Sequence, residues 1–418
     1  MDHRGCLLTL GLALSVPATS VPGQTFGDDL AFLKRHTAVV VLQDGKTGAR
    51  VAVCPDLQGR VMTSSARGES GPGFGWINRE TLAAGRRDPH FNAYGGEDRF
   101  WLGPEGGQFA LFFGKGDPFD LAHWHTPPPI DTEAYPVAAR GQDRISFRKP
   151  MSLRNYSGTS FELRLDRTVR LVPAAEALAD LGVANAPGLE IVAYESENRI
   201  ENTGRVAWRK ETGLVSVWIL GMFKPSPTTT VVVPFKPGPE TALGPAVNDA
   251  YFGKVPADRL VVGKGVLYFR GDGKHRSKIG ISPARAVPTL GSYDAGSKVL
   301  TLVQFTRPEG ATDYVNSMWK LQDEPFGGDV VNSYNDGPPA AGARPLGPFY
   351  ELETSSPAGA LAPGASLVHR HRTVHLVGEE AALDAVAKKA LGVGLGDIAA
   401  AFGAAAFTPR PGAFATSF

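Results

Sequence analysis

The chain has 418 residues, with 43 basic and 42 acidic side chains and a formal net charge of +1. That balance leaves no basic stripe of the kind that nucleic acid or an anionic bilayer requires, and a neutral polar ligand suits it better. With 50 glycines, 33 prolines and 42% hydrophobic residues, the composition excludes a helical protein and fits many short strands joined by tight turns around a large core.

Residues 1–22 read as a signal peptide. Arg4 supplies the positive region, Leu7–Val16 the apolar one, and Pro17-Ala-Thr-Ser20 the small-residue cleavage zone. The expected location is therefore the periplasm or the exterior of a bacterium. The apolar run is too short to span a bilayer and no later segment is long enough, so no membrane span is expected. Cys6 lacks the setting of a lipid-attachment site. Cleavage leaves Cys54 alone, a buried packing residue in a protein without a disulfide framework.

Residues 25–36 predict a short amphipathic helix, with Phe26, Leu30 and Leu33 on one face. Strand-like runs follow at Ala38–Gln43, Ala49–Pro55, Arg60–Ser65, Phe109–Gly114, Arg144–Lys149, Phe161–Leu171, Glu190–Glu201 and Leu214–Met222. Further runs lie at Thr228–Pro234, Leu260–Arg270, Ile279–Ser282, Lys298–Phe305, Phe349–Ser355 and Leu367–Leu376. Two more helices are expected, at Ala174–Leu181 and Glu380–Leu391. No repeat of fixed period stands out, which argues against a propeller or solenoid. The pattern predicts one large antiparallel β domain over residues 25–395. The Ala/Gly/Pro-rich tail, 399–418, has too little apolar bulk to order itself.

The segment with the most chemistry runs from Asn332 to His375. In the strand around Tyr350-Glu-Leu-Glu-Thr354, residues two apart point the same way, so Glu351 and Glu353 share a face with their backbones about 7 Å apart. Paired carboxyls suit general acid/base work on a small polar substrate. A second cluster, Glu97-Asp98-Arg99-Phe-Trp101 after Gly95-Gly96, mixes charged hydrogen-bonding groups with a flat apolar face, the mixture that sugars require. Asn78-Arg79, following Trp76, is a smaller version of it.

His123-Trp-His125 and His369-Arg-His371 each put two imidazoles on one strand face, with His375 in phase. No metal signature accompanies them, and neither a metal nor a cofactor is expected. Asp329, Asn332, Asn335 and Asp336 carry oxygens suited to a hard cation, but they are read as turn formers. Gly-x-Ser-x-Gly, P-loop and dinucleotide fingerprints are absent from the sequence, which removes support for serine hydrolases and nucleotide enzymes.

Leu352-Glu353-Thr354, then Ser-Ser-Pro357 and Leu361-Ala-Pro363-Gly364, resembles the closing segment of the aldose 1-epimerases, or galactose mutarotases. Asn78-Arg79 is similar to that family's early Asn-Arg, Gly95-Gly96 to its His-Gly-Gly loop, and Glu201-Asn-Thr-Gly204 to the strand end before its catalytic histidine. The Gly95–Glu105 loop is closer still to secreted bacterial relatives of the superfamily. The resemblance implies a β-supersandwich of two large antiparallel sheets with a sugar cleft, and Glu353 as the general base tuned by Glu351. It also departs from the family. Tyr94 stands in place of the loop histidine, and Lys210–Met222 contains no histidine. The acid's place falls to Trp208, Lys210 or Glu211, or to His371 on the last strand.

The expectation is an exported carbohydrate-active protein, epimerase-like or a lyase or hydrolase, with Glu353, Glu351 and His371 as catalytic candidates. Arg79, Asn78, Glu97, Asp98, Arg99, Trp101, Lys210, Glu211 and Asp336 would hold a small-molecule or oligosaccharide ligand, in a monomer or weak dimer. The alternative is a non-catalytic sugar-binding protein on the same fold.

Overall fold

Two kinds of strand build the molecule, and their burial patterns show how it is layered. The long strands Arg144–Arg154 and Ser160–Val172 alternate buried with exposed side chains, so one face meets the core and the other meets solvent. Ser216–Phe223 and Tyr350–Ser355 are buried at every position, so both of their faces are covered. The structure, a computed structural model, describes residues 24–340 and 342–403. The expected signal peptide lies outside them.

Among the described residues, three antiparallel sheets of ten, five and three strands make up the β architecture. The ten-stranded sheet runs, in spatial order, through Leu260–Val262, Val266–Arg270, Thr229–Pro234, Thr289–Asp294, Val299–Phe305, Ser366–Val377, Glu190–Asn202, Ser160–Val172, Arg144–Arg154 and Val137–Arg140. The five-stranded sheet runs through Ser277–Ile281, Val331–Asn335, Tyr350–Ser355, Ser216–Phe223 and Arg99–Gly103. Val40–Gln43, Arg50–Cys54 and Arg60–Ser65 form the third sheet.

The two larger sheets pack face to face over a continuous apolar core. Leu352, Tyr350 and Phe223 of the smaller sheet meet Val231, Leu290 and Val303 of the larger. Leu383, Val386 and Leu391 of helix Glu380–Leu391 cover the outer face of the large sheet against Leu300, Leu302 and Val374. Helix Phe26–His36 is capped by Thr25 with Asp28 in a capping box, and it lays Phe26, Leu30 and Leu33 on the three-stranded sheet. Cys54 is buried there and free, with its thiol pushed well up by burial.

All three expected helices are present. Phe109–Gly114, expected as a strand, is a buried loop whose aromatics pack on tryptophans. Leu260–Arg270 breaks into two strands at the turn around Gly263 and Gly265. The strands Arg99–Gly103, Val137–Arg140, Thr289–Asp294 and Val331–Asn335 were not anticipated. Asn332, Ser333 and Asn335 read as turn residues in isolation, yet neighbours on both sides hold them in a ladder. Helix Leu395–Ala400 reaches into the expected tail, with Leu395 and Ile398 buried; residues 404–418 lie outside the described residues. Among the described residues no helix is long and apolar enough to cross a membrane.

Candidate functional site

Register determines what faces outward from the five-stranded sheet. Glu351 lies opposite Met222 on one neighbouring strand and Tyr334 on the other, and Glu353 lies opposite Leu220 and Asn332. One strand further out, Arg99 is opposite Leu220 and Trp101 opposite Trp218. On the far edge, Lys278 is opposite Tyr334. Directly opposed residues in an antiparallel pair share a face. Glu351, Glu353, Arg99, Trp101, Trp218 and Lys278 therefore all point away from the large sheet, into one cleft. The shared face of the two glutamates, expected from their spacing, is realised.

The cleft encloses about 830 Å³ of empty space, its open mouth included. Its walls come from long loops. Phe91, Trp124 and Trp319 surround Trp101 and Trp218. The loops carrying Glu105 and Trp319 are clasped together. Gln108 donates to the Gln322 carbonyl at 2.8 Å, and the Gln322 amide donates back at 3.0 Å.

At the floor, Arg99 Nη2 donates to Glu351 Oε1 at 3.1 Å, and its guanidinium stacks 4.0 Å from the Trp101 ring centre. Lys278 Nζ and Trp218 Nε1 both donate to Glu353 Oε2, at 2.8 and 2.9 Å. Glu353 is wholly buried, whereas Glu351 lines the cleft. Burial pushes the Glu351 carboxyl up to about 8, opposed by Arg99 and reinforced by Glu353, which is within hydrogen-bonding reach. Two carboxyls that close do not both ionise readily. Glu353 Oε1 has no hydrogen-bond donor, and a proton on Glu351 satisfies it. The pair is thus built to hold one proton between two carboxyls. Burial also raises Glu105 and Asp336 on the cleft wall.

Of the other candidates, Asp336 lies in this cleft, accepting from the Tyr334 hydroxyl at 2.9 Å and the Gly347 amide at 2.9 Å. The remainder lie elsewhere. Asn78 caps helix Arg79–Ala84, and Arg79 pairs with Asp29 at 2.7 Å, tying that helix to the N-terminal one. Glu97 is buried, taking hydrogen bonds from Ser64 and Tyr194 and pairing with His375 at 2.9 Å. Asp98 neutralises the buried Arg167 at 2.6 Å. Glu97, in the bend before the strand, and Asp98, of opposite parity to Arg99, take structural charge partners, and of that run Arg99 and Trp101 line the cleft. Lys210 pairs with Asp313 at the surface, and Glu211 is exposed. Trp208 packs on Phe161 in the core.

The expectation that His371 supplies an acid is corrected by parity. His371 and His369 both meet the Thr354 hydroxyl at 2.9 Å. Thr354 points to the opposite face of its strand from Glu351 and Glu353, so both histidines lie between the sheets. Burial there pushes His371 down to about 4 and His369 to about 3.

Among the described residues no group of three or more His, Cys, Asp or Glu is placed to hold a metal ion. Asp329 instead accepts from Tyr251 at 2.6 Å and Asn248 at 2.9 Å, and Asn335 accepts from the Gly273 amide at 2.8 Å.

Sequence reasoning missed Lys278, Trp218, Arg276, Glu105 and Trp319. Trp218 and Lys278 fall in or beside expected strands, so parity placed them on a face. Nothing local indicated that this face was the one shared with the glutamates.

Comparison with solved structures finds similar chains. A Synechocystis protein, Slr1438, shares 14% identity over 82% of this chain and 96% of its own, with a TM-score of 0.47. A galactose mutarotase-like protein from Lactobacillus casei shares 10% over 81% and 100%, with a TM-score of 0.43. A galactose mutarotase related enzyme from Lactobacillus acidophilus shares 8% over 81% and 97%, also with a TM-score of 0.43. Among curated proteins, none matches the sequence. A family described as one of unknown function, DUF6786, matches residues 24–402. The chain belongs to the DUF6786 family.

Proposed function

We propose that the cleft binds a sugar and that the Glu351–Glu353 pair moves a proton to and from it. The observation that carries this reading is Glu351, opening onto an aromatic-walled cleft with Glu353 behind it and Arg99 and Lys278 on their flanks. Aromatic rings stack on the CH faces of a sugar ring, and charged donors meet its hydroxyls. A carboxyl kept protonated near neutrality can act as a general acid, and once discharged the same pair is a general base. One pair then fills both roles that a glutamate and a histidine share elsewhere. This changes the assignment expected from sequence, because Glu351 faces the cleft and Glu353 lies behind it.

The test is polarimetry and NMR product analysis over a panel of aldoses and glycosides. In Glu351→Gln, turnover falls by roughly two to four orders of magnitude, the scale of an acid/base group. Wild-type turnover in both Glu351→Gln and Glu353→Gln removes the acid–base assignment.

A second reading is a sugar-binding protein without catalysis. It is favoured by the closure of Glu353 from solvent and the engagement of Glu351 with Arg99. Saturable binding without product in the native chain selects it.

A further inference from the structure

Hydrogen-bonding capacity around the cleft is unbalanced. Arg99 is only 3% exposed and spends one nitrogen on Glu351, yet its Nε and Nη1 find no acceptor. The indole nitrogens of Trp101 and Trp124, in the same cleft, are also without one. Arg276 lies just before strand Ser277–Ile281, its guanidinium 3.8 Å from the Phe252 ring centre. No carboxylate among the described residues comes within ion-pairing distance of it.

Two of the acceptor groups nearby are engaged. Glu353 Oε2 takes Lys278 and Trp218, and Asp336 takes Tyr334 and the Gly347 amide. Glu105 and Asp336 are the wall carboxyls whose charges act on Arg276, and burial raises both. A buried N–H without a partner is costly, so the cleft is shaped for a guest rich in acceptors. The oxygens of a sugar ring and its hydroxyls can accept from these N–H groups, but they bring no charge to match the unpaired guanidinium of Arg276. A carboxylate only accepts, and its two oxygens match a guanidinium fork. Arg276 and Lys278 also line an adjoining lobe together with Glu105; Lys278 is already paired with Glu353, so Arg276 is the cation there without a carboxylate partner.

We propose that the ligand is an acidic sugar, a uronate whose carboxylate is received by Arg276 while its ring oxygens satisfy the idle N–H groups of Arg99 and the two indoles. This rests on the sugar-cleft reading above and names the class of sugar.

Calorimetry on the full chain tests it with glucuronate and galacturonate against glucose, galactose and a hexose phosphate. At low salt each uronate binds roughly tenfold or more tighter than its parent hexose, the worth of a charge-assisted pair. That ratio shrinks as salt rises, a measurement on the native protein that needs no variant. It collapses toward one in Arg276→Ala and is partly kept in Arg276→Lys, which retains charge without the fork. A hexose that binds as well as its uronate, or a ratio that survives Arg276→Ala, overturns the acidic-sugar assignment and leaves the sugar cleft standing. Preference for the hexose phosphate overturns the carboxylate. No saturable binding of any of these sugars removes the sugar-cleft reading as well.

Discussion

Glu351 has a residue-level signature that solution measurements can read. The unfolded chain loses this proton near the ordinary value of 4.5, whereas burial holds it in the native state up to about 8. Between those values the folded protein carries a proton that the unfolded one has released, so stability falls as pH rises across the window and then levels. Glu351→Gln cannot ionise and flattens that slope in urea melts. Any turnover that needs the proton declines as pH rises through about 8. His369 and His371 act on the other side. The unfolded histidines charge below their ordinary 6.5, the buried ones only near 3 and 4, so acid costs stability as pH drops through that range. His369→Gln should lessen that acid loss.

At the scale of the element, the five-stranded sheet carries an ion pair in its cleft face. Lys278, from an edge strand, reaches Glu353 across Asn332 of the strand between them. Both side chains are almost fully buried. Removing one partner leaves the other charge buried and alone, which costs about 3–5 kcal/mol. Lys278→Met should therefore destabilise by about that much in denaturant unfolding. Adding Glu353→Gln should restore a large part, because neighbouring groups are not additive. Full additivity of the two substitutions would show that the pair carries no coupling. The same sheet explains a missed strand. Val331-Asn-Ser-Tyr-Asn335 has turn chemistry, and its ladder exists only because Ser277–Ile281 and Tyr350–Ser355 pair on either side.

For the whole molecule, the signal-peptide reading of residues 1–22 makes a prediction: a mature chain beginning just after residue 22, recovered from the extracytoplasmic fraction and read by mass spectrometry, is the expected result. An unprocessed cytoplasmic chain overturns it. Composition and period-two alternation determined the β class, most strands and the common face of Glu351 and Glu353, and helical spacing the three longer helices, because these depend on neighbours in the chain. Arg99 and Trp101 were singled out by their chemistry, a charged donor beside a flat apolar ring, and not by a strand pattern. The placement of Glu97, Asp98, Arg79 and His371 was not legible: whether an outward side chain meets a cleft or the interior depends on which sheet covers that face. Lys278 and Trp218 reach Glu353 through strand order and register across long sequence separations. Those long-range pairings, and the burial they impose on Glu351, were decided only by tertiary structure, since desolvation and charge proximity are properties of the packed sheets.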